Sequence, residues 1–224
     1  MDRISVLFIL PSLRRAGAET QMVDLINTMD HNRWSITVVV FLADLSLLDR
    51  LNTDTIDFHL IPRTGKFSTS YVWKIRKLIR EKNIRLVHCT LQFSLLVATL
   101  ACLGLRKTNR PKIVAAIHTT NNVNMKNELA DKLVYSHCLR LANHIIFVCE
   151  AQREYWIKRF SWISGKSTVV HNGVDTTYFE PSDCQQKVSK ITAELMLDED
   201  DKVILCIAGF RTEKGHDSLP SGRS

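Results

Sequence analysis

Several positions in this chain pair a residue type suited to ligand chemistry with a place where such chemistry can be done. Gly17 lies in Arg14-Arg-Ala-Gly-Ala-Glu19, between an apolar run and a segment of helical period. A glycine there lets backbone approach a ligand closely, and a helix N-terminus offers unpaired N–H groups and the positive end of its dipole. His118 ends the apolar run Ile113-Val-Ala-Ala-Ile117 and precedes a polar loop of Thr119, Thr120, Asn121 and Asn122. Glu150 follows Ile145-Ile-Phe-Val-Cys149 and opens a helical segment, where it could meet a ligand hydroxyl. Arg211 and Lys214 sit in the loop after Val203–Ala208. A bidentate guanidinium and an ammonium above a helix N-terminus make a good diphosphate clamp.

Each of these has a plainer reading. The Gly17 loop also fits an ordinary connection in which Glu19 complements the dipole of the first helical turn. His118 could cap the next helix, Glu150 could serve only its own helix dipole, and Arg211 and Lys214 could be solvated charges. The Gly17 loop is not a dinucleotide fingerprint, which needs three glycines where this loop has one. His88 follows Leu86-Val87, but Cys89 and Leu91 continue the apolar run, which favours a core histidine. The basic run Lys74, Arg76, Lys77, Arg80, Lys82 and Arg85 reads as a solvated helix face, or else as a contact for anionic lipid headgroups. No nucleic-acid motif or interleaved aromatic accompanies it.

The elements that must position these residues alternate along the chain. Ile4–Leu10, Ser35–Leu42, Phe58–Ile61, Arg85–His88, Lys112–Ile117, Ile145–Cys149 and Thr168–Val170 are of strand length and strongly apolar or β-branched. Between them, segments 18–29, 71–82, 93–103, 126–141 and 151–160 carry apolar residues at helical spacing. Strands separated by helices imply right-handed crossovers and an α/β, Rossmann-like doubly wound parallel sheet. Ligands bind such a sheet beyond the carboxyl ends of its strands, which is where Gly17, His118 and Glu150 fall. Val203–Ala208 reads as a further buried strand, and 185–197 as a linker helix ahead of it.

Composition narrows the class. With 45% hydrophobic and 24% charged residues the chain can bury a core. An excess of 30 Lys and Arg over 23 Asp and Glu suits anionic partners. The cysteines at 89, 102, 138, 149, 184 and 206 form no Cys-x-x-Cys pair, and several, including Cys206, fall in apolar runs. They read as buried free thiols of a reducing compartment, with no metal-ligand spacing among Cys and His. The N-terminus lacks the apolar stretch and cleavage site of a signal peptide. The longest apolar segment, 95–105, is about half of what a bilayer span needs. The chain is therefore expected in the cytoplasm, at most peripheral at the inner face of a membrane.

Four signatures occur in order: Ala16-Gly-Ala-Glu19, Val148-Cys-Glu150, His171-Asn-Gly-Val-Asp175 with Phe179 and Pro181, and Ala208-Gly-Phe-Arg-Thr-Glu-Lys-Gly-His-Asp217. In that order and spacing the chain resembles the GT-B fold glycosyltransferases of group 1, or family 4. The resemblance implies two Rossmann-like domains, with the acceptor held mainly by the first and a nucleotide-activated sugar mainly by the second. It implies domain limits of 1–175 for the acceptor side, 176–201 for hinge and linker helix, and 202–224 for the start of the donor domain. His118 would hydrogen-bond the transferred sugar as the catalytic residue, and Gly17 would let amides approach the donor phosphate or the acceptor. Arg211 and Lys214 would neutralise the leaving diphosphate in place of a metal, and Glu150 would contact sugar or acceptor. The implied reaction is retaining and needs no cofactor or metal ion. Its implied partners are a nucleotide-sugar and a glycan or lipid-linked acceptor in bacterial surface polysaccharide or glycolipid synthesis, with no nucleic acid. A nicotinamide-dependent oxidoreductase and a non-catalytic acceptor- or partner-binding module are the alternatives.

Two departures from the family pattern matter. Ala16 stands where a first glycine is usual. After Asp217 the helical apolar pattern lapses, and the Glu-x7-Glu segment that would hold sugar and ribose is absent, as a frameshift or early stop would leave it. The 224-residue chain is therefore expected to transfer little or no sugar by itself. A transfer assay on the purified chain checks this, and measurable product overturns it.

Overall fold

The computed structural model describes residues 3–62, 69–118, 134–177, 190, 192–198, 201–208 and 214–216. The chain divides into two compact units, Met1–Gly173 and Val174–Ser224.

The first unit is built on seven strands: β1 (Ile4–Leu10), β2 (Trp34–Val40), β3 (Asp57–Leu60), β4 (Leu86–Thr90), β5 (Lys112–Ile117), β6 (His144–Phe147) and β7 (Ser167–Val169). All pair in parallel, in the order β3-β2-β1-β4-β5-β6-β7. The intervening helices are α1 (Gly17–Thr28), α2 (Ser70–Glu81), α3 (Leu91–Cys102), α4 (Ser136–Leu141) and α5 (Glu150–Arg159).

The continuous apolar strands are explained by the two cores they separate. Successive strand residues point to opposite faces. Val6, Phe8 and Leu10 of β1 therefore join Ile36, Val38 and Val40 of β2 under α1, with Met22, Val23 and Ile26. Leu7 and Ile9 face the other way, with Val39, Val87 and Ile113, and are covered by α2, α3, α4 and α5 through Ile75, Ile79, Leu95, Leu139 and Trp156. Register is tight because a slip by one residue would exchange the two cores; Ile9 pairs with Val39 on one side and Cys89 on the other.

Two helix C-termini are closed by cations from other elements. Arg76 of α2 donates from Nε to the Ala101 carbonyl at 2.9 Å and from Nη2 to the carbonyls of Leu100 and Leu103, closing the C-terminus of α3. Lys166 does the same for α4, with Nζ 2.7–2.8 Å from the carbonyls of Leu139, Arg140 and Ala142. A cation among orphan carbonyls satisfies them and complements the dipole.

The strands and helices expected from sequence in residues 4–170 are present, with ends shifted by a few residues. The helix expected at 126–141 falls largely outside the described residues, which retain Ser136–Leu141. Most of the linker helix at 185–197 also lies outside them. Val203–Ala208 corrects the sequence reading: it pairs with no strand among the described residues, and Val203, Ile204, Leu205 and Ile207 are 62–88% exposed. Strand propensity alone makes no strand, because the ladder needs a neighbour. Cys206 is accordingly exposed, not buried, with Sγ 3.8 Å from Nδ1 of His216. Cys89, Cys102 and Cys138 are buried free thiols; burial pushes Cys89 well up and Cys102 to about 11, so they stay protonated.

Phe147 is fully buried at the end of β6. Phe147→Ala is expected to cost about 3–5 kcal/mol through lost burial and the cavity left behind, read as a lowered midpoint in urea unfolding.

Candidate active site at the carboxyl edge of the sheet

Chain order reverses between β1 and β4, since β1 leads outward to β2 and β4 to β5. In a doubly wound sheet the crevice outside the carboxyl ends at this switch is the ligand site. The loop after β1 runs from Pro11 to Ala16 and enters α1. Ala16 is extended at the helix N-cap and makes no side-chain capping bond, and among the described residues no side chain closes the first turn of α1. Its amides are available to an anion.

Gly17 is the first residue of α1 and is exposed. A Cβ built on it meets no atom within 4 Å and its φ is not positive. The fold does not need glycine here; what the missing side chain leaves is open space above backbone.

Glu19 was expected as a dipole-complementing residue of the first turn. It occupies that turn, but is 1% exposed, with Oε1 accepting from Nε of the half-exposed Arg14 at 3.2 Å. A carboxyl group so placed is out of water and relies on Arg14 for its ion pair. His118 directly follows β5 and is half-buried. Its Nε2 is out of solvent with no hydrogen-bond partner among the described residues. Burial lowers its pKa, and the negative charge of Glu19 acts in the opposite direction. His118 is therefore neutral at physiological pH, with a buried ring nitrogen that no described residue engages.

His88 is the second histidine of this edge. The sequence put it at the end of strand 85–88 and favoured a core histidine; β4 continues to Thr90 and buries it. Its ring lies 5.0 Å from that of Phe8 on β1, and Nδ1 has no partner among the described residues. Burial, then the neighbouring His118, lowers its pKa to about 4. The buried hydroxyls of Thr90 and Ser94 also lack partners among the described residues. Leu91, between them and heading α3, has φ 65, left-handed for a non-glycine residue. Such a conformation costs about 1–2 kcal/mol and is held by its surroundings.

Glu150 opens α5 after β6, as expected, but is exposed and turned along its helix, with Oε2 3.7 Å from Nη1 of Arg153. That geometry fits the dipole role. The segment after β7 is held to the same edge: His171 Nδ1 lies 3.1 Å from the Val148 carbonyl, and Gln21 donates to the Gly173 carbonyl at 2.9 Å. In the second unit Lys214 is exposed, and Arg211 lies outside the described residues. Among the described residues no group of three or more His, Cys, Asp or Glu could hold a metal ion.

The site that the first unit assembles is thus a helix N-terminus beside a neutral imidazole, backed by a buried carboxylate and a second neutral imidazole. The sequence reading missed the burial of Glu19, for which Arg14, five residues ahead, was the available signal; the core position it favoured for His88 is borne out. Such a site can bind an anion at α1 and hydrogen-bond a hydroxyl at His118.

A family model described as Glycosyltransferase Family 4 matches residues 15–178. No curated protein matches the chain. Among solved structures, Anabaena HepE in complex with UDP and glucose is 20% identical with a TM-score of 0.67, covering 87% of this chain and 50% of that one. A glycosyltransferase from Rickettsia africae is 14% identical with a TM-score of 0.66, over 89% and 51%. The apo lipopolysaccharide outer core galactosyltransferase WaaB is 17% identical with a TM-score of 0.51, over 77% and 46%. The chain spans about half the length of these structures.

His88 yields a pH prediction. In the unfolded chain its imidazole takes up a proton below about pH 6.5; in the folded chain it stays neutral down to about 4. The unfolded state therefore binds more protons across that window, and stability falls as pH drops through it. From about pH 7 to about pH 5 the loss from His88 is about 2 kcal/mol, to which His118 adds in the same direction. Urea unfolding at the two pH values reads it, and His88→Gln is expected to shrink the difference by that amount.

Proposed function

Because the chain belongs to glycosyltransferase family 4, we propose that it serves to move a sugar from a nucleotide-sugar donor to a hydroxyl of a glycan or lipid-linked acceptor. The transfer retains anomeric configuration, needs no metal ion, and belongs to bacterial surface polysaccharide or glycolipid synthesis on the cytoplasmic side. The observation that carries this reading is the neutral His118 with an unpartnered Nε2 at the switch crevice. A neutral imidazole can hydrogen-bond a sugar hydroxyl and, because Glu19 is close, can tolerate positive charge developing nearby as the glycosidic bond breaks.

In this reading the open space at Gly17 admits a phosphate or acceptor group to the α1 amides. Arg211 and Lys214 stabilise the departing diphosphate, and Glu150 contacts sugar or acceptor at the crevice rim. Residues 1–175 form the acceptor side, 176–201 the hinge and linker, and 202–224 the start of the donor side. Support comes from HepE, whose structure holds UDP and glucose, and from WaaB, a galactosyltransferase of the lipopolysaccharide outer core. No helix among the described residues is long and apolar enough to cross a membrane.

Transfer from a panel of UDP-sugars in the presence of EDTA, by a fusion that carries a complete donor domain from a family 4 relative, tests the reading. His118→Ala is expected to lower kcat by about a hundredfold; wild-type turnover in the variant removes His118 from the mechanism. Proton NMR of the product reads retention, and loss of activity with EDTA removes metal independence. Gly17→Ala separates site from scaffold: the fold is expected to gain up to about 1 kcal/mol from helix propensity, while donor or acceptor binding weakens. Unchanged binding in that variant removes Gly17 from the site.

A further inference from the structure

The amino edge of the same sheet carries a recess that glycosyl transfer does not use. The end of α2, the turn into β4 and the loop into β5 surround about 1210 Å³, more than most small-molecule sites, which run to roughly 300–1000 Å³. Its cations come from three elements. Arg80 belongs to α2, Arg85 precedes β4, and Lys107, Arg110 and Lys112 lead into β5; all are exposed. The backbone beneath them is fixed: the Arg85 amide donates to the Ser5 carbonyl at 2.9 Å, and the Lys112 amide to the Arg85 carbonyl at 2.9 Å. None of these cations has an ion-pair partner among the described residues, and Glu81 on the wall is taken by Lys77 at 3.7 Å. Nor does α2 need Arg80 to close its end. The carbonyls of Leu78, Ile79 and Arg80 are met by the amides of Lys82, Ile84 and Asn83. Cations gathered in this way repel one another unless an anion joins them.

An aromatic surface stands at one end of the recess. Trp73 lines it and is 61% exposed. The guanidinium of Arg76 lies 4.7 Å from the indole ring centre, and Arg76 is itself held by the carbonyls of Leu100, Ala101 and Leu103. A fixed cation thus backs the ring, whose remaining surface faces solvent. Trp73, Arg76 and Arg80 stand at i, i+3 and i+7, on one stripe of α2. Seven helical residues advance about 10 Å, a span comparable to that from the base of a nucleotide to its outer phosphates. The apolar face of α2, through Val72, Ile75 and Ile79, is already buried in the core, so Trp73 is not exposed for want of a fold partner.

We propose that this recess binds a soluble nucleoside polyphosphate, at a site separate from the donor and acceptor positions assigned above. The base stacks on Trp73, and the phosphates lie among Arg80, Arg85, Lys107, Arg110 and Lys112. Guanidinium groups bind phosphate oxygens in pairs, and ammonium groups add point charge. Stacking on the indole separates a nucleotide from a bare polyphosphate, which can use only the cations. A single aromatic at one end suits a single base, whereas a nucleic-acid strand calls for successive ones. Cations lining a recess suit a ligand that enters it; a flat anionic surface would meet only the rim. The site lies at the edge of the sheet opposite Gly17 and His118, and it stands or falls independently of sugar transfer.

Titration calorimetry of the 224-residue chain with ATP, GTP and inorganic tripolyphosphate is the test. Saturable nucleotide binding is expected, weakening as salt rises and quenching tryptophan emission. Trp73→Ala is expected to lower nucleotide affinity by roughly tenfold or more, to remove the quenching, and to leave tripolyphosphate binding unchanged. Arg80→Glu, Lys107→Glu and Arg110→Glu together are expected to weaken binding of all three by roughly a hundredfold or more, with the far-ultraviolet circular dichroism unchanged. No saturable nucleotide binding, or wild-type affinity in the Glu-substituted chain, overturns the proposal. Nucleotide affinity unchanged in Trp73→Ala overturns it in favour of bare polyphosphate. Sedimentation with phosphatidylglycerol vesicles in place of nucleotide binding overturns it in favour of a lipid headgroup.

Discussion

β1 and β4 lie side by side at the centre of the sheet with both faces out of water. Leu7, Ile9, Val87 and Cys89 are fully buried toward one layer of helices, and Val6 and Leu10 toward the other. A parallel pair cannot be joined by a hairpin, so each connection crosses over one face, and two-sided burial demands helices on both. That constraint puts every strand-to-helix turn at one edge. It also makes the β1–β4 neighbourhood the place where α1 diverges from the later helices. Glu19, His88 and His118 come from distant parts of the chain and lie there within electrostatic reach of one another.

At this edge, burial sets the protonation of the histidines. Two imidazoles are held neutral by burial, and a carboxylate is held in the same wall by Arg14. Unpaired buried polar atoms are costly to a folding chain. Among the described residues, His88, Thr90, Ser94 and His118 each leave one such atom without a partner, as do residues elsewhere in the fold. The core supplies the stability that offsets their cost.

The two edges of the sheet differ in electrostatic character for the same topological reason. Turns at the carboxyl edge present helix N-termini and small polar groups. The amino edge receives helix C-termini, where Lys and Arg complement the dipole, as Arg76 does for α3. The basic residues of α2 and of the loop before β5 continue that pattern beyond what capping needs.

Much of the fold was legible in the sequence because its signals are local. Apolar runs of five to seven residues could only be strands buried on both faces, and the helical spacing between them required crossovers. Candidate residues just after strands followed from that order alone, which is how Gly17, His118 and Glu150 were found. Val203–Ala208 shows the limit: its residues favour a strand, but a strand is a relation to a neighbour, and propensity carries no information about whether one is there. Burial at the site was only partly legible for a similar reason. The apolar run continuing past His88 marked it as a core histidine, but Glu19 reads as an ordinary first-turn acid. What buries the Glu19 carboxylate and leaves His88 a neutral imidazole is the packing of β1, β4, β5 and α1. The sequence by itself determined the alternation of elements, because periodicity is written residue by residue. Only the tertiary structure decided which polar groups lose their water, because desolvation depends on neighbours that the chain brings from far away.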